Sequence, residues 1–428
     1  MQNLSKRTYL FEKHKELGAK TAHFGGYEMP LWYTSAKNEH IAVLTKAGMF
    51  DTSHMSPIQI SGASAVELLQ LSFSRDLRYC LDKNTKPLQP GKSIYGIIPN
   101  NAGHVIDDAI LSQVDRQEFI LMVNAGMGET IKDTLERNQK SLGTEVEIGD
   151  LTDLVGKIDI QGPNSANILE KVLKNPEKAF QSLDYFSFRG HFEREKESTE
   201  ELEVWNDTPI LLSRSGYTGE FGFEILLEAS KIGDLWDMLL EAGQDFGIEP
   251  CGLASRDSLR TGAVLPLSHQ DIGDWPFINN PWTFALPFRS ESSGFSKDFV
   301  GARALKQMED TSYTYPFIGY DPRKIEPGED SGVFIEDEPI GQILTCTTDM
   351  GIGWYQEQVY SLNSPNKPSD FKPRGLCCGF IKVDRPLNSN PEVELKDFKR
   401  SIKVLVTKNI RPDRTARKDL FPDTVASS

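Results

Sequence analysis

The stretch KSIYGIIPNNAGHVIDDAILSQVDRQEFILMVN, residues 92–124, constrains the fold more than any other part of the chain. Three apolar runs are separated only by NNAG and DRQ. Connections that short join antiparallel neighbours, because a parallel crossover needs a dozen residues or more. Asn100, Asn101 and Gly103 suit a hairpin turn. The stretch reads as a three-stranded meander. Two adjacent acids, Asp107 and Asp108, stand inside its second strand, where Val, Ile or Thr would fit better.

Consecutive side chains of a strand point to opposite faces. Ile106, Asp108 and Ile110 share one face, and Val105, Asp107, Ala109 and Leu111 the other. On that geometry the acids do not form a dyad on one substrate. One can face a pocket while the other caps a turn or pairs with a base. The bland alternative is a solvent-exposed strand end with two wet carboxylates, the commoner use of isolated acids.

Beyond the meander the chain mixes strands and helices. A polar helix is expected at 126–140. Ile232, Leu235, Trp236, Leu239 and Leu240 recur at helical spacing and predict a helix over 230–246 with one buried face, stopped by Gly247. Another helix begins near Pro163 and buries Ile168, Leu169, Val172 and Leu173. The fold class is therefore α+β. Two segments look inserted: the acidic 191–207 and the Pro-, Ser- and Asn-rich 355–375. A β-rich domain is expected over 312–415 and a tail over 416–428, with no internal repeat.

The 428 residues carry a net charge of −15, which makes nucleic acid or an anionic membrane surface an unsuitable main partner. No run approaches the ~20 apolar residues of a membrane span. The start lacks the apolar run of a signal peptide and contains two glutamates, so a cytoplasmic location is expected. The five cysteines form no CxxC pair and the seven histidines no HxH or HExxH spacing, so reduced thiols and no metal are expected.

Three further motifs could hold chemistry. SRSGYTGEFGFEILL (213–227) places Gly216, Gly219 and Gly222 in a turn between strand-like runs, where backbone could approach a ligand closely. Tyr217 and Glu224 bracket the turn; a flat ring could stack on one and hydrogen-bond the other, and an ordinary hairpin is an equal reading. EPCGLASRDSLRTGA (249–263) enters a helix carrying Arg256, Asp257 and Arg260. The arginines suit carboxylate ligands, and an internal ion pair is the commoner use. DIGDWPFINNPWTFALPF (271–288) crowds Trp275, Phe277, Trp282, Phe284 and Phe288 together, either as core or as a wall around a flat or cationic ligand.

The ordered motifs GAKTAHFGGYEMPLWYTS, AGMFDTSHM, IYGIIPNNAGHVIDD, IQGPNSANIL, RSGYTGEFGFE, PCGLASRDSLR and KDFVGARAL resemble the glycine cleavage T-protein (aminomethyltransferase) family from about Arg7 to Leu305. The resemblance implies three domains around a central folate site, here 1–56 with 155–265, 57–154 with 266–311, and 312–415. It implies transfer of an aminomethyl group from the lipoylated H-protein to tetrahydrofolate, with release of ammonia; a monomer is expected. It makes Asp108 the catalytic carboxylate, Glu224 the pterin-binding acid and Arg256 the arginine of the GLxxRD motif. Tyr95, Asn124, Tyr185 and Tyr217 fall on folate-lining positions, with Met55 close by and Phe288 where the family has a stacking tryptophan.

The chain also departs from the family pattern. RLEAG reads RTGAV, so Gly262 replaces a carboxylate. A PLYGHE-like segment reads PLSHQD, with Ser268, His269 and Gln270. The C-terminal signature reads LTCTTDMGIG. These changes concern the donor side more than the folate. A paralogue taking a methyl group from a small sulfonium, quaternary amine or methoxy donor is the second expectation, and a non-catalytic folate-binding protein the third.

Overall fold

The computed structural model describes residues 5–81, 83, 85–193, 201–288, 294–309, 311–388 and 391–420. The meander forms as expected, from Lys92–Pro99, Val105–Asp115 and Glu118–Val123, and these pair antiparallel in sequence order. Ser56–Ser61 and Glu147–Asp150 complete a five-stranded sheet. Helices Ala65–Ser72 and Gly128–Leu142 cover it, burying Leu68, Leu69, Ile131 and Leu135.

A second sheet has six strands, in the order Phe188–Gly190, Leu211–Ser213, Gly222–Glu228, Val155–Gln161, Ala47–Asp51 and Ile248–Pro250. Only the last pair is parallel among its strand pairs. Helices Ser165–Val172 and Ile232–Gly243 bury their apolar stripes on it, with Trp236 fully enclosed. Gly247 ends the second helix region at φ +67°, a left-handed cap that suits glycine.

The C-terminal part is a closed six-stranded barrel, beginning with Tyr313–Gly319 and ending with Ser401–Val406. Closure leaves no sheet edge. The aromatic stretch 271–288 wedges between barrel and meander sheet. Trp275, Phe277 and Trp282 are buried there with Ile97, Leu344 and Phe380, so three of the five aromatics are core.

Buried charge fastens the barrel to the six-stranded sheet. Arg411 is 1% exposed and donates to Glu220 at 3.0 Å and to Asp349 at 2.5 Å. His40 bridges Asp349 (2.9 Å) and Ser258 (2.7 Å). The Gly262 substitution acquires a reason here: a Cβ at that position would collide with Asp349 and Arg411. A barrel carboxylate occupies the space that a side chain at 262 would need.

One expectation changes. Residues 416–420 are docked rather than a loose tail: Ala416 N donates to Gly219, Arg214 donates to Lys418 O, and Leu420 packs on the helix-covered core. Residues 421–428 lie outside the described residues, as does 194–200 of the acidic segment. In the described remainder of that segment, Leu202 and Val204 are buried. Among the described residues, no helix is long and apolar enough to cross a membrane.

Candidate active site

A cavity of about 1850 Å³ opens where the two sheets and the barrel meet. Ligand pockets usually measure ~300–1,000 Å³, so this one has room for two reactants. Asp108, Tyr95, Asn124, Met55, Tyr185, Tyr217, Glu224 and Arg256 all line it. These residues come from five separated stretches of chain, which only the fold brings together.

Phe288 does not reach the lining. It is half-buried and packs against Phe295, ring centroids 5.1 Å apart. Phe284 lines the cavity instead, 56% exposed and 5.8 Å from the Tyr95 ring. A short helical turn, Thr283–Ala285, turns Phe284 outward while Trp282 and Ala285 go into the core. Helical periodicity within six residues is too short to be read from sequence.

The aspartates occupy opposite faces of the strand, as alternation requires. They are nevertheless linked, and neither sits at a wet strand end. Asp107 is fully buried. Ile110 pairs with Met122, which sets Asn124 across from Asp108. Asn124 Nδ2 donates to Asp108 Oδ1 at 2.7 Å and to Asp107 Oδ1 at 2.8 Å. Its backbone N–H donates to Asp107 Oδ2 at 2.9 Å. Tyr95 Oη donates to Asp108 Oδ2 at 2.7 Å. One amide thus ties both acids, contrary to the separation expected from strand geometry alone.

No lysine or arginine among the described residues pairs with either acid. Burial and the Asp108 charge push Asp107 up to about 7. Burial also raises Asp108, against the opposing hydrogen bonds of Tyr95 and Asn124. Burial and the Asp108 charge hold the Tyr95 phenol well above its usual range, so it stays a donor. Acids whose proton affinity is raised in this way are suited to accepting and returning protons.

Glu224 belongs to a different cluster. Lys157 and Asp159 alternate along Val155–Gln161, a strand buried throughout. Lys157 Nζ donates to Asp159 at 2.5 Å and also to Glu224. Arg256 Nη1 donates to the other Asp159 oxygen at 2.7 Å, and its guanidinium lies 4.9 Å from the Tyr217 ring centre. Burial opposes ionisation of Asp159, yet Lys157 and Arg256 hold it down at about 2. The motif reading missed Lys157 and Asp159. Their signal was present: two opposite charges at i and i+2 in the otherwise apolar run VGKIDIQ.

Arg256 does not pair with Asp257. That acid goes to Arg260, which is buried and also holds Asp271. The glycines of the 213–227 motif make room chiefly for protein. A Cβ at Gly216 or Gly222 would strike the Gln161 side chain, which donates to Ser215 and Phe223 carbonyls. His54 also faces the cavity. Burial depresses it to about 4, so its ring is neutral, and it stands edge-on to Phe24 at 5.6 Å.

The GCVT N-terminal domain family matches residues 10–276. The chain belongs to that family. The aminomethyltransferase of Oceanobacillus iheyensis is 32% identical over 344 residues, covering 80% of this chain and 86% of that protein. The aminomethyltransferase of Symbiobacterium thermophilum is 32% identical over 352 residues, covering 81% and 86%. A solved structure, the glycine cleavage system aminomethyltransferase T from Bartonella henselae, superposes with a TM-score of 0.74 at 25% identity. The alignment spans 96% of this chain and 99% of that one, so the GCVT architecture includes the barrel. No cluster of three or more potential metal ligands occurs among the described residues.

Proposed function

We propose that the chain is a tetrahydrofolate-dependent aminomethyltransferase of the glycine cleavage type. It takes the aminomethyl group from the lipoyl arm of an H-protein and yields 5,10-methylenetetrahydrofolate and ammonia. The observation that carries this reading is Asp108, a carboxylate with no lysine or arginine partner among the described residues, in the wall of a cavity large enough for two reactants, in a chain whose relatives are aminomethyltransferases.

The lining fits a folate. Tyr95, Tyr185 and Tyr217 offer flat walls, and Glu224 offers a carboxylate for ring N–H groups. Lys324, Lys408, Arg414 and Arg417 also line the cavity, which suits a carboxylated tail although the chain as a whole is anionic. Tetrahydrofolate is the acceptor substrate, and its ring nitrogen attacks the donor methylene. Asp108, in the cavity wall, takes the proton that this nitrogen releases. Tyr95 and Asn124 fix the carboxylate in one orientation, so little reorganisation is needed during reaction.

Purified protein supplied with tetrahydrofolate and aminomethylated H-protein is expected to release ammonia and form methylenetetrahydrofolate in equal amounts. No ammonia would remove this reading. Exposed Phe284 beside Tyr95 favours one alternative, a small cationic methyl donor. That alternative requires 5-methyltetrahydrofolate from a panel of sulfonium and quaternary ammonium compounds.

A further inference from the structure

His54 lines the cavity, 3% exposed, and the proton chemistry at Asp108 leaves it unused. Its Nδ1 is sealed from solvent without a hydrogen bond. Its Nε2 also lacks a partner among the described residues, but it is not sealed. The ring is nonetheless held in place. It stands edge-on to Phe24 at 5.6 Å and 6.4 Å from the Tyr27 ring, both from the hairpin of Lys20–Phe24 and Tyr27–Trp32. The turn that carries it is fastened to Val155–Gln161. Thr52 N donates to Lys157 O at 3.0 Å, Thr52 Oγ1 donates to Asp159 Oδ1 at 2.9 Å, and Lys157 N donates to Ser53 Oγ at 3.1 Å. Lys157 Nζ in turn donates to Glu224. Lys157 therefore fixes both the turn of His54 and the carboxylate of Glu224. The contacts also choose the tautomer, because the two ring nitrogens meet different surroundings. A proton on Nδ1 would be a sealed donor with nothing to bond, which is costly. A proton on Nε2 faces the cavity, where a ligand or water accepts it. Burial keeps the ring neutral down to about pH 4, so Nε2–H is a donor that carries no charge.

We propose that His54 Nε2–H donates to the ring carbonyl oxygen of the folate pterin, beside the ring N–H groups that Glu224 receives. The proposal rests on the folate reading of the cavity. The edge of a pterin presents N–H donors next to a carbonyl acceptor. A carboxylate next to a neutral imidazole N–H is its complement. A 4-amino pteridine carries an amino group where the carbonyl was, so two donors would meet at His54. A buried group left unpaired by the wrong ligand is how a site rejects a close analogue. His54 is thus a residue that sets specificity, reading an oxo group against an amino group, while Asp108 handles the proton.

The test uses the full chain and equilibrium binding of tetrahydrofolate and of its 4-amino analogue, tetrahydroaminopterin. The proteins are wild type, His54→Phe and His54→Gln. Phenylalanine keeps an aromatic ring against Phe24 and Tyr27 but has no donor, whereas glutamine both donates and accepts. Wild type is expected to favour tetrahydrofolate. In His54→Phe, tetrahydrofolate affinity is expected to fall by about tenfold, and the preference over the 4-amino analogue to narrow by a similar factor. His54→Gln is expected to regain most of the tetrahydrofolate affinity and to admit the analogue. An unchanged preference in His54→Phe, or an equal loss of both ligands in both variants, overturns the assignment while the folate reading stands. A wild type that binds no tetrahydrofolate removes the folate reading as well. A second readout needs no ligand. In nitrogen-15 NMR the His54 signals, identified by their absence from His54→Phe, should show a bare Nδ1 and a protonated Nε2 from pH 7 to pH 5. The Nε2 proton should move downfield when tetrahydrofolate is added. The opposite tautomer, or a charged ring in that range, overturns the assignment.

Discussion

Two buried aspartates stand behind lining residues of this cavity, Asp107 behind Asn124 and Asp159 behind Arg256, in opposite protonation regimes. Asp107 and Asp159 are both fully enclosed, and both lie in strands beside a second charged residue. Asp159 has Lys157 and Arg256 for neighbours and is held at about 2. Among the described residues, Asp107 has another acid, neutral donors and a histidine 3.8 Å away, and is pushed to about 7. Residue type and burial are the same, so the neighbours decide. A cation-paired acid is a fixed charge that shapes a binding wall. An acid without a cation keeps its proton to higher pH. On the proposed function, the molecule separates holding a substrate from moving its protons.

The comparison can be broken from either side. The largest effect is expected at Asp108→Asn, which keeps shape but cannot accept a proton. Turnover should fall by about 10²–10⁴-fold in steady-state ammonia release. Next is Lys157→Met, which leaves Asp159 and Glu224 short of a buried cation. Losing one partner of a buried pair costs about 3–5 kcal/mol, readable in urea unfolding. If stability is unchanged, Asp159 is not a cation-fixed charge.

Smaller effects sharpen the contrast. Asn124 lowers the proton affinity of both acids, so Asn124→Ala should move the acid limb of the kcat/KM profile upward. A downward shift would reverse the electrostatic assignment. The smallest is a slope. Between pH 4 and about 7 folded Asp107 keeps a proton that the unfolded chain has released. Its contribution to stability is therefore full at low pH and lost as pH rises through about 7. Asp107→Asn should remove that part of the decline in Tm. Asp159 behaves oppositely, since its contribution is lost only as pH falls toward about 2.

Much of this was legible in sequence because it is local. Alternation and short turns gave the meander strands, and helical spacing placed Trp236 in the core. The motifs for Asp108, Tyr95, Asn124, Tyr217, Glu224 and Arg256 located residues that the cavity does bring together. What escaped depends on contacts distant in sequence. Strand alternation separated Asp107 from Asp108, but it could not show one asparagine of the next strand tying them together. Gly262 looked like a lost carboxylate until Asp349, 87 positions later, was seen filling its place. Phe284 and Phe288 were indistinguishable within an aromatic run, because a single helical turn decides which faces the cavity.

The division between holding and proton transfer is tested most directly by equilibrium binding of tetrahydrofolate to the Asp108→Asn protein. Binding within about threefold of wild type, alongside the large turnover loss, is the result expected if Asp108 acts on the transferred group rather than on affinity. A fall in affinity as large as the fall in turnover would contradict it, and would place Asp108 with Glu224 as part of the binding wall.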